Sequence, residues 1–226
     1  MPSWLQLMVD SLAPLLWAGL IFTIPLTLLS FVLGLTVGLF AAILRLFGPR
    51  PLAAAVRFYV WIIRGTPLLV QLFLIFYGLP SVGIVLDAFS AALIGFTLNV
   101  GAYTSEIIRA VISSVPKGQW EAAYSIGMTW QQAMRRTILP QAARVAVPPL
   151  SNTFISLVKD TSLAAAITVP ELFQAAQRIV ATTYEPLILY IEAALIYLAL
   201  SSVLSALQAR LEKRLGRYGG FLEARS

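Results

Sequence analysis

From Ser11 to Leu44 the chain carries no charged residue. At 1.5 Å of helical rise per residue, such a run is long enough to cross the roughly 30 Å hydrocarbon core of a bilayer. A backbone in that medium must satisfy its own polar groups, which a helix does within one segment. Four further charge-poor runs follow: Gly65 to Leu86, with its helix expected to begin near Val56; Ala88 to Ser105; Val145 to Val158, continued past Lys159-Asp160 by Thr161 to Val169; and Pro186 to Ala209, interrupted by Glu192. Together they predict an all-α integral membrane protein with five transmembrane helices, over about 12–44, 56–80, 88–112, 145–169 and 186–209. Pro25 is a candidate kink in the first. The composition agrees: 59% of the residues are hydrophobic and 12% charged, against about 45–50% and 25% in soluble domains. Residues 1–226 read as a single domain, without internal repeat, Gly/Ser linker or low-complexity tract.

The basic residues sort by loop. Arg45, Arg50, Arg57 and Arg64 belong with the first loop, Arg109, Lys117, Arg135, Arg136 and Arg144 with the third, and Arg210, Lys213, Arg214, Arg217 and Arg225 with the tail; only Lys159 and Arg178 fall on the other side. The positive-inside rule then places the C-terminus in the cytoplasm and, with five spans, the N-terminus outside. The net charge of +6 therefore reads as basic cytoplasmic loops, not as a nucleic-acid surface. The first charged side chain is Asp10, so the start lacks the basic region of a signal peptide. The tail ending in Gly219-Gly220 is expected to fray.

The sequence contains no cysteine and no histidine, which excludes disulfides, zinc sites of the usual kind, Ser-His-Asp triads and Cys-His nucleophiles. No enzyme active site or metal centre suggests itself.

The loop over residues 116–140 reads as two short helices. Pro116 suits the first turn, Glu121 lies early where the helix dipole favours an anion, Gly127 ends the helix, and Thr129 with Gln132 forms a capping box for the next. Arg135 and Arg136 are expected in the last turn, before Pro140 stops it. Physical reasoning alone leaves two roles open: a loop resting on lipid headgroups through its tryptophans, or a surface on which another protein docks closely over the small Ala122 and Ala123.

The spacing Glu121-Ala122-Ala123, Gly127 and Leu139-Pro140 resembles the EAA loop of bacterial ABC importer permeases, with Thr137 departing from the isoleucine usual there. Arg64-Gly65-Thr66-Pro67 and Lys159-Asp160-Thr161-Ser162-Leu163 are similar to signatures of the polar amino acid (His/Gln/cystine-like) branch, and Ala102 to Arg109 extends the similarity. The resemblance implies a permease subunit whose loop is a coupling helix contacting a partner ATPase through Trp120, Glu121, Ala122, Ala123, Gly127 and Arg135. It also implies two ATPase subunits, a second permease subunit (a copy or a paralogue), an extracytoplasmic amino-acid-binding protein, and the bacterial inner membrane as location. The substrate would be a polar amino acid, cystine or a related one. No G-x-x-x-x-G-K-[ST] phosphate loop occurs, so ATP is expected to bind the partner, with no cofactor on this chain. The alternative is a self-contained secondary transporter or channel, against which stand the small, odd number of spans and the missing inverted repeat.

Polar side chains within spans are functional candidates. Asn99, Tyr103 and Glu106 share one helix face; Asp160, Thr161 and Ser162 interrupt the fourth span; Gln71 follows Pro67 by one turn. Asp160 and Glu106 are candidate partners for a substrate ammonium, and the helix start expected at Thr161-Ser162 for its carboxylate. Each has a structural reading beside it: Glu106 pairing with Arg109, Asp160 pairing with Lys159 or capping the next segment, Asn99 and Gln71 joining helices, Glu192 supporting the outer interface, and Arg64 snorkelling from near the cytoplasmic edge.

Overall fold

A computed structural model describes residues 3–216; the expected fraying at Gly219-Gly220, and the basic Arg217 and Arg225, lie outside the described residues. The elements are helical throughout: α1 (Ser3–Ala18), α2 (Ile24–Phe47), α3 (Arg50–Gly65), α4 (Leu68–Phe73), α5 (Ala88–Ser113), α6 (Lys117–Ser125), α7 (Trp130–Ala133), α8 (Leu139–Asp160), α9 (Leu172–Thr183) and α10 (Pro186–Gly216). Short π or 3₁₀ segments join several of them. Three helices, Trp4–Phe47, Ala88–Ser113 and Pro186–Arg214, are long and apolar enough to cross a membrane, and a fourth crossing is available if Arg50–Gly65 and Leu68–Val82 count as one.

That pair is bent by 107°, where the sequence suggested a single span over 56–80. The cause is local. A proline disfavours helical backbone in the residue before it, and Thr66, before Pro67, is extended at φ −120°, ψ 146°. The bend strands carbonyls at the end of α3. The Thr66 hydroxyl donates to Ile62 O at 2.9 Å. The Gln71 amide donates to Ile63 O at 2.7 Å and Thr66 O at 3.1 Å.

Small residues set the closest helix packing. Gly34 and Gly38 of α2 lie one turn apart against Val100 and Thr104 of α5, a pairing that lets two backbones approach in a membrane. A Cβ added at Gly34 would meet Val100 at 2.6 Å. Thr104 donates to Val100 O at 2.8 Å within its own helix. Leu26, Leu72, Phe96, Leu157 and Ile167 form one buried cluster joining α2, α4, α5 and α8 to the 3₁₀ segment Thr161–Ile167.

The C-terminal half of α1 and the N-terminal half of α10 meet around α9. Leu15, Leu172, Ala176, Ala193 and Ile196 pack together. Ser11 donates to the Glu192 carboxylate at 2.5 Å, so Glu192 is a buried link between helices. Glu171 caps α9 by accepting from Gln174 N–H at 2.7 Å and also accepts from Tyr197 at 2.6 Å.

α8 departs from the sequence reading at both ends. Pro140 does not stop a helix; it sits in the first turn of α8, where its missing N–H is tolerated, and a π segment, Met134–Ile138, carries the chain in from α7. At the far end Asp160 and Thr161 keep right-handed helical angles as the α-helix tightens into the 3₁₀ segment.

Candidate functional site

Where α4, α5 and α8 diverge they leave a cavity of about 580 Å³. Thr66, Pro67 and Leu68 reach it from the bend after α3, Asn99 and Tyr103 from α5, and Asn152, Thr153, Ser156 and Asp160 from α8. The bend supplies one wall: without it α3 and α4 would continue as one rod. The α8 wall follows from helical period, because Asn152, Ser156 and Asp160 recur every fourth residue and share a face. Asp160 is exposed and makes no hydrogen bond or ion pair among the described residues.

Of the candidates for substrate contact, Asn99 and Asp160 line this cavity and four do not. Gln71 is buried and bound to the end of α3, with its oxygen 3.4 Å from Asn99 Nδ2; its amide braces the bend, so the joining role applies. Thr161 is fully buried, its hydroxyl donating to Val158 O at 2.7 Å. Ser162 donates to Lys159 O at 2.7 Å. No separate helix starts at Thr161-Ser162: α8 runs directly into the 3₁₀ segment Thr161–Ile167, and the Thr161 N–H bonds Leu157 O.

Glu106 stands apart from the cavity for an electrostatic reason. One oxygen accepts from Arg45 at the end of α2, and the other from Arg109 Nε at 3.1 Å and Nη2 at 2.9 Å. The i,i+3 pair with Arg109 was foreseeable; the third member, Arg45, arrives only because α2 packs on α5. With both oxygens engaged, Glu106 ties these helices together.

One charged residue treated in the sequence as a snorkelling side chain sits beside the cavity. The Arg64 guanidinium lies 5.2 Å from the centre of the Tyr103 ring, and Tyr103 lines the cavity. The signal was in the sequence, since Arg64 directly precedes Gly-Thr-Pro, but its meaning depends on the bend.

The second candidate surface is the α6–α7 segment. Gly127, at φ +79°, closes α6 with paired bonds from Gly127 N–H to Tyr124 O at 2.9 Å and Met128 N–H to Ala123 O at 3.1 Å, a left-handed cap that favours glycine. Thr129 and Gln132 complete the capping box in both directions. Glu121, Ala122, Gly127 and Arg135 are exposed. Ala123 is buried and Trp120 is half-buried, packing against the cluster of Ile112, Val115 and Ile138. Trp120 thereby anchors the segment to the end of α5. Trp130, Gln131, Met134, Arg135 and Arg136 line an open hollow of about 770 Å³. The Trp130 ring packs edge-on against Phe47 of α2 at 4.9 Å.

Residues 34–217 match the family described as binding-protein-dependent transport system inner membrane component. The chain is 56% identical over 214 residues to the L-cystine transport system permease protein TcyB of Bacillus subtilis, covering 94% of this chain and 92% of that one. It is 37% identical over 204 residues to the glutamine transport system permease protein GlnP of Escherichia coli, covering 89% and 93%. Among solved structures, a chain of an amino acid ABC transporter crystallised with histidines superposes with a TM-score of 0.89 at 37% identity, over 95% of this chain and 99% of that one. A chain of the inward-facing MetNI methionine ABC transporter shares the fold at a TM-score of 0.74 and 22% identity, over 89% and 96%.

Proposed function

Since the chain belongs to the family of binding-protein-dependent transport system inner membrane components, we propose that it is the permease subunit of an ATP-binding-cassette importer for a polar amino acid, cystine or a close relative of it. The observation that carries this reading is the connection of two sites by the same helices. α5 and α8 border the cavity with Asn99, Tyr103 and Asp160, and at their other ends they pack on the exposed α6–α7 segment. A force applied to α6–α7 by a docked ATPase would thus reach the cavity walls through helices, which are stiff along their axes.

In this reading α6 and α7 form the coupling segment, with Glu121, Ala122, Gly127 and Arg135 at the ATPase surface and the hollow beside α7 receiving it. ATP binds the partner subunits, two of them, and this chain holds no cofactor. A second permease subunit completes the pathway, and an extracytoplasmic binding protein delivers the amino acid. Asp160, reached from α8 at the cavity, receives the substrate ammonium, with Asn99 beside it as a hydrogen-bonding partner. The bent α3–α4 pair and α8 with its 3₁₀ extension count as the second and fourth of five crossings, which puts the N-terminus outside and the C-terminus in the cytoplasm. Alternating access follows: closure of the ATPase pair moves the two coupling segments and opens the cavity to the other side.

The test is purification followed by reconstitution. A stoichiometric ATPase is expected to co-purify, and Asp160→Asn should lower uptake about tenfold or more while assembly is unchanged, the loss expected for one charge-assisted contact. Ion-gradient uptake by this chain alone in liposomes, or normal transport by Asp160→Asn, would overturn the reading.

A further inference from the structure

We infer that Arg64 is the carboxylate clasp of the cavity and makes the site selective for amino acids whose α-carboxylate is free. The inference rests on the amino-acid reading above and adds the half of a zwitterion that Asp160 leaves unmatched. Three observations carry it. Arg64 stacks over Tyr103 with its guanidinium carbon 5.2 Å from the ring centre, and Tyr103, Thr66 and Asp160 line one cavity. Arg64 and Asp160 come from different elements, α3 and α8, and neither joins an ion pair among the described residues. The Thr161 N–H, a backbone donor that might otherwise receive a carboxylate, is bonded to Leu157 O.

An arginine within a membrane protein stays charged and needs a partner or water. The aromatic face of Tyr103 attracts the cation weakly compared with a carboxylate, which takes two parallel hydrogen bonds from the guanidinium fork. Tyr103 therefore holds the guanidinium next to a cavity-lining ring with no ion pair among the described residues, and an entering carboxylate can take its N–H edge without breaking one. The structural alternative is that Arg64 serves only the end of α3, where a cation is favoured by the helix dipole. That role is indifferent to the ligand's carboxylate, which separates the two.

The experiment uses the permease–ATPase complex in nanodiscs, without binding protein, so that selectivity reports on the permease. Bound radiolabelled L-cystine is displaced, at a pH acid enough to keep the ester's amines protonated, by L-cystine or by its dimethyl ester, which keeps both amino groups and lacks both carboxylates. The wild type should prefer the free acid by about tenfold or more, the worth of a charged hydrogen bond. In Arg64→Gln the two competitors should become equal to within about twofold. Arg64→Lys, which keeps the charge and loses the fork, should fall between them and serves if the neutral variant does not assemble. A wild-type preference that survives intact in either variant overturns the inference alone. A wild type that binds neither L-cystine nor L-glutamine nor L-arginine at all overturns the amino-acid reading, and this inference with it.

Discussion

The polar side chains of this protein differ in what they are free to do, and that difference is set by their partners. Gln71 looks from the sequence like a binding-site residue because it is polar, intramembrane and close to a proline. Its three donor contacts, to Ile63 O, Thr66 O and the Thr66 hydroxyl, instead make it the brace of the α3–α4 bend. Gln71→Leu is expected to lower stability by roughly 1–3 kcal/mol, since it leaves carbonyls without donors; a lower thermal midpoint of the purified protein checks this, and an unchanged midpoint contradicts it. Asp87 shows the opposite case, a charge with a purely local task. It caps α5 by accepting from Ser90 N–H at 3.0 Å, and hydrogen bonding from Ser90 holds its carboxyl below the usual aspartate range. A depressed pKa contributes stability that is present above the unfolded value and lost as pH falls through the folded one. The wild type should therefore lose stability relative to Asp87→Asn only below about pH 4, as read by thermal midpoints across an acid series. Asparagine keeps the capping oxygen but does not titrate in this range.

At the scale of elements, prolines organise the helices. Each π segment among the described residues ends two residues before a proline: Gly19–Thr23 before Pro25, Leu74–Gly78 before Pro80 and Met134–Ile138 before Pro140. The residue just ahead of each proline bonds the carbonyl five positions back, as Ile24 N–H does to Gly19 O and Leu139 N–H to Met134 O. Proline offers no N–H and its ring crowds the carbonyl four residues back; the wider turn moves that carbonyl away while the helix continues. Pro25 and Pro140 were legible as perturbations, one as a kink and one as a stop. That both are absorbed by one extra residue per turn was not, because backbone propensity does not distinguish breaking from bulging. Pro140→Ala should let the turn revert to regular α-helix and swing α7 by one residue, about 100°, against α8. ATP hydrolysis by the assembled complex should persist while uptake falls roughly tenfold, a coupling loss of about 1–2 kcal/mol; equal losses of both, or of neither, would contradict a coupling role for this turn.

Across the whole molecule, the cavity and the α6–α7 segment lie at different depths along α5 and α8, with the Arg45–Glu106–Arg109 cluster between them along α5. The Arg45–Glu106 pair binds the end of α2 to α5, so the first long helix is drawn into any movement of α5. The absence of native cysteine makes the topology directly measurable. Gly118→Cys, on α6 at a position where a side chain meets nothing within 4 Å, should react with an impermeant maleimide only from the cytoplasmic face of oriented vesicles, and Gly83→Cys only from the opposite face. Labelling of Gly118→Cys from outside would invert the proposed orientation.

The sequence by itself determined the solvent of this fold, its helical class, the caps at Gly127 and Thr129, and the spacing of the segment between α5 and α8. These depend on composition, on backbone chemistry within four or five residues, or on motifs of fixed spacing. Only the tertiary structure decided which polar groups face the cavity. Glu106 was withdrawn by an arginine 61 residues away, Gln71 by the ends of a bent helix, and Arg64 was brought to Tyr103 by the packing of α3 on α5. A side chain's role there depends on which partner reaches it first, and partners distant in sequence become neighbours only when the helices pack.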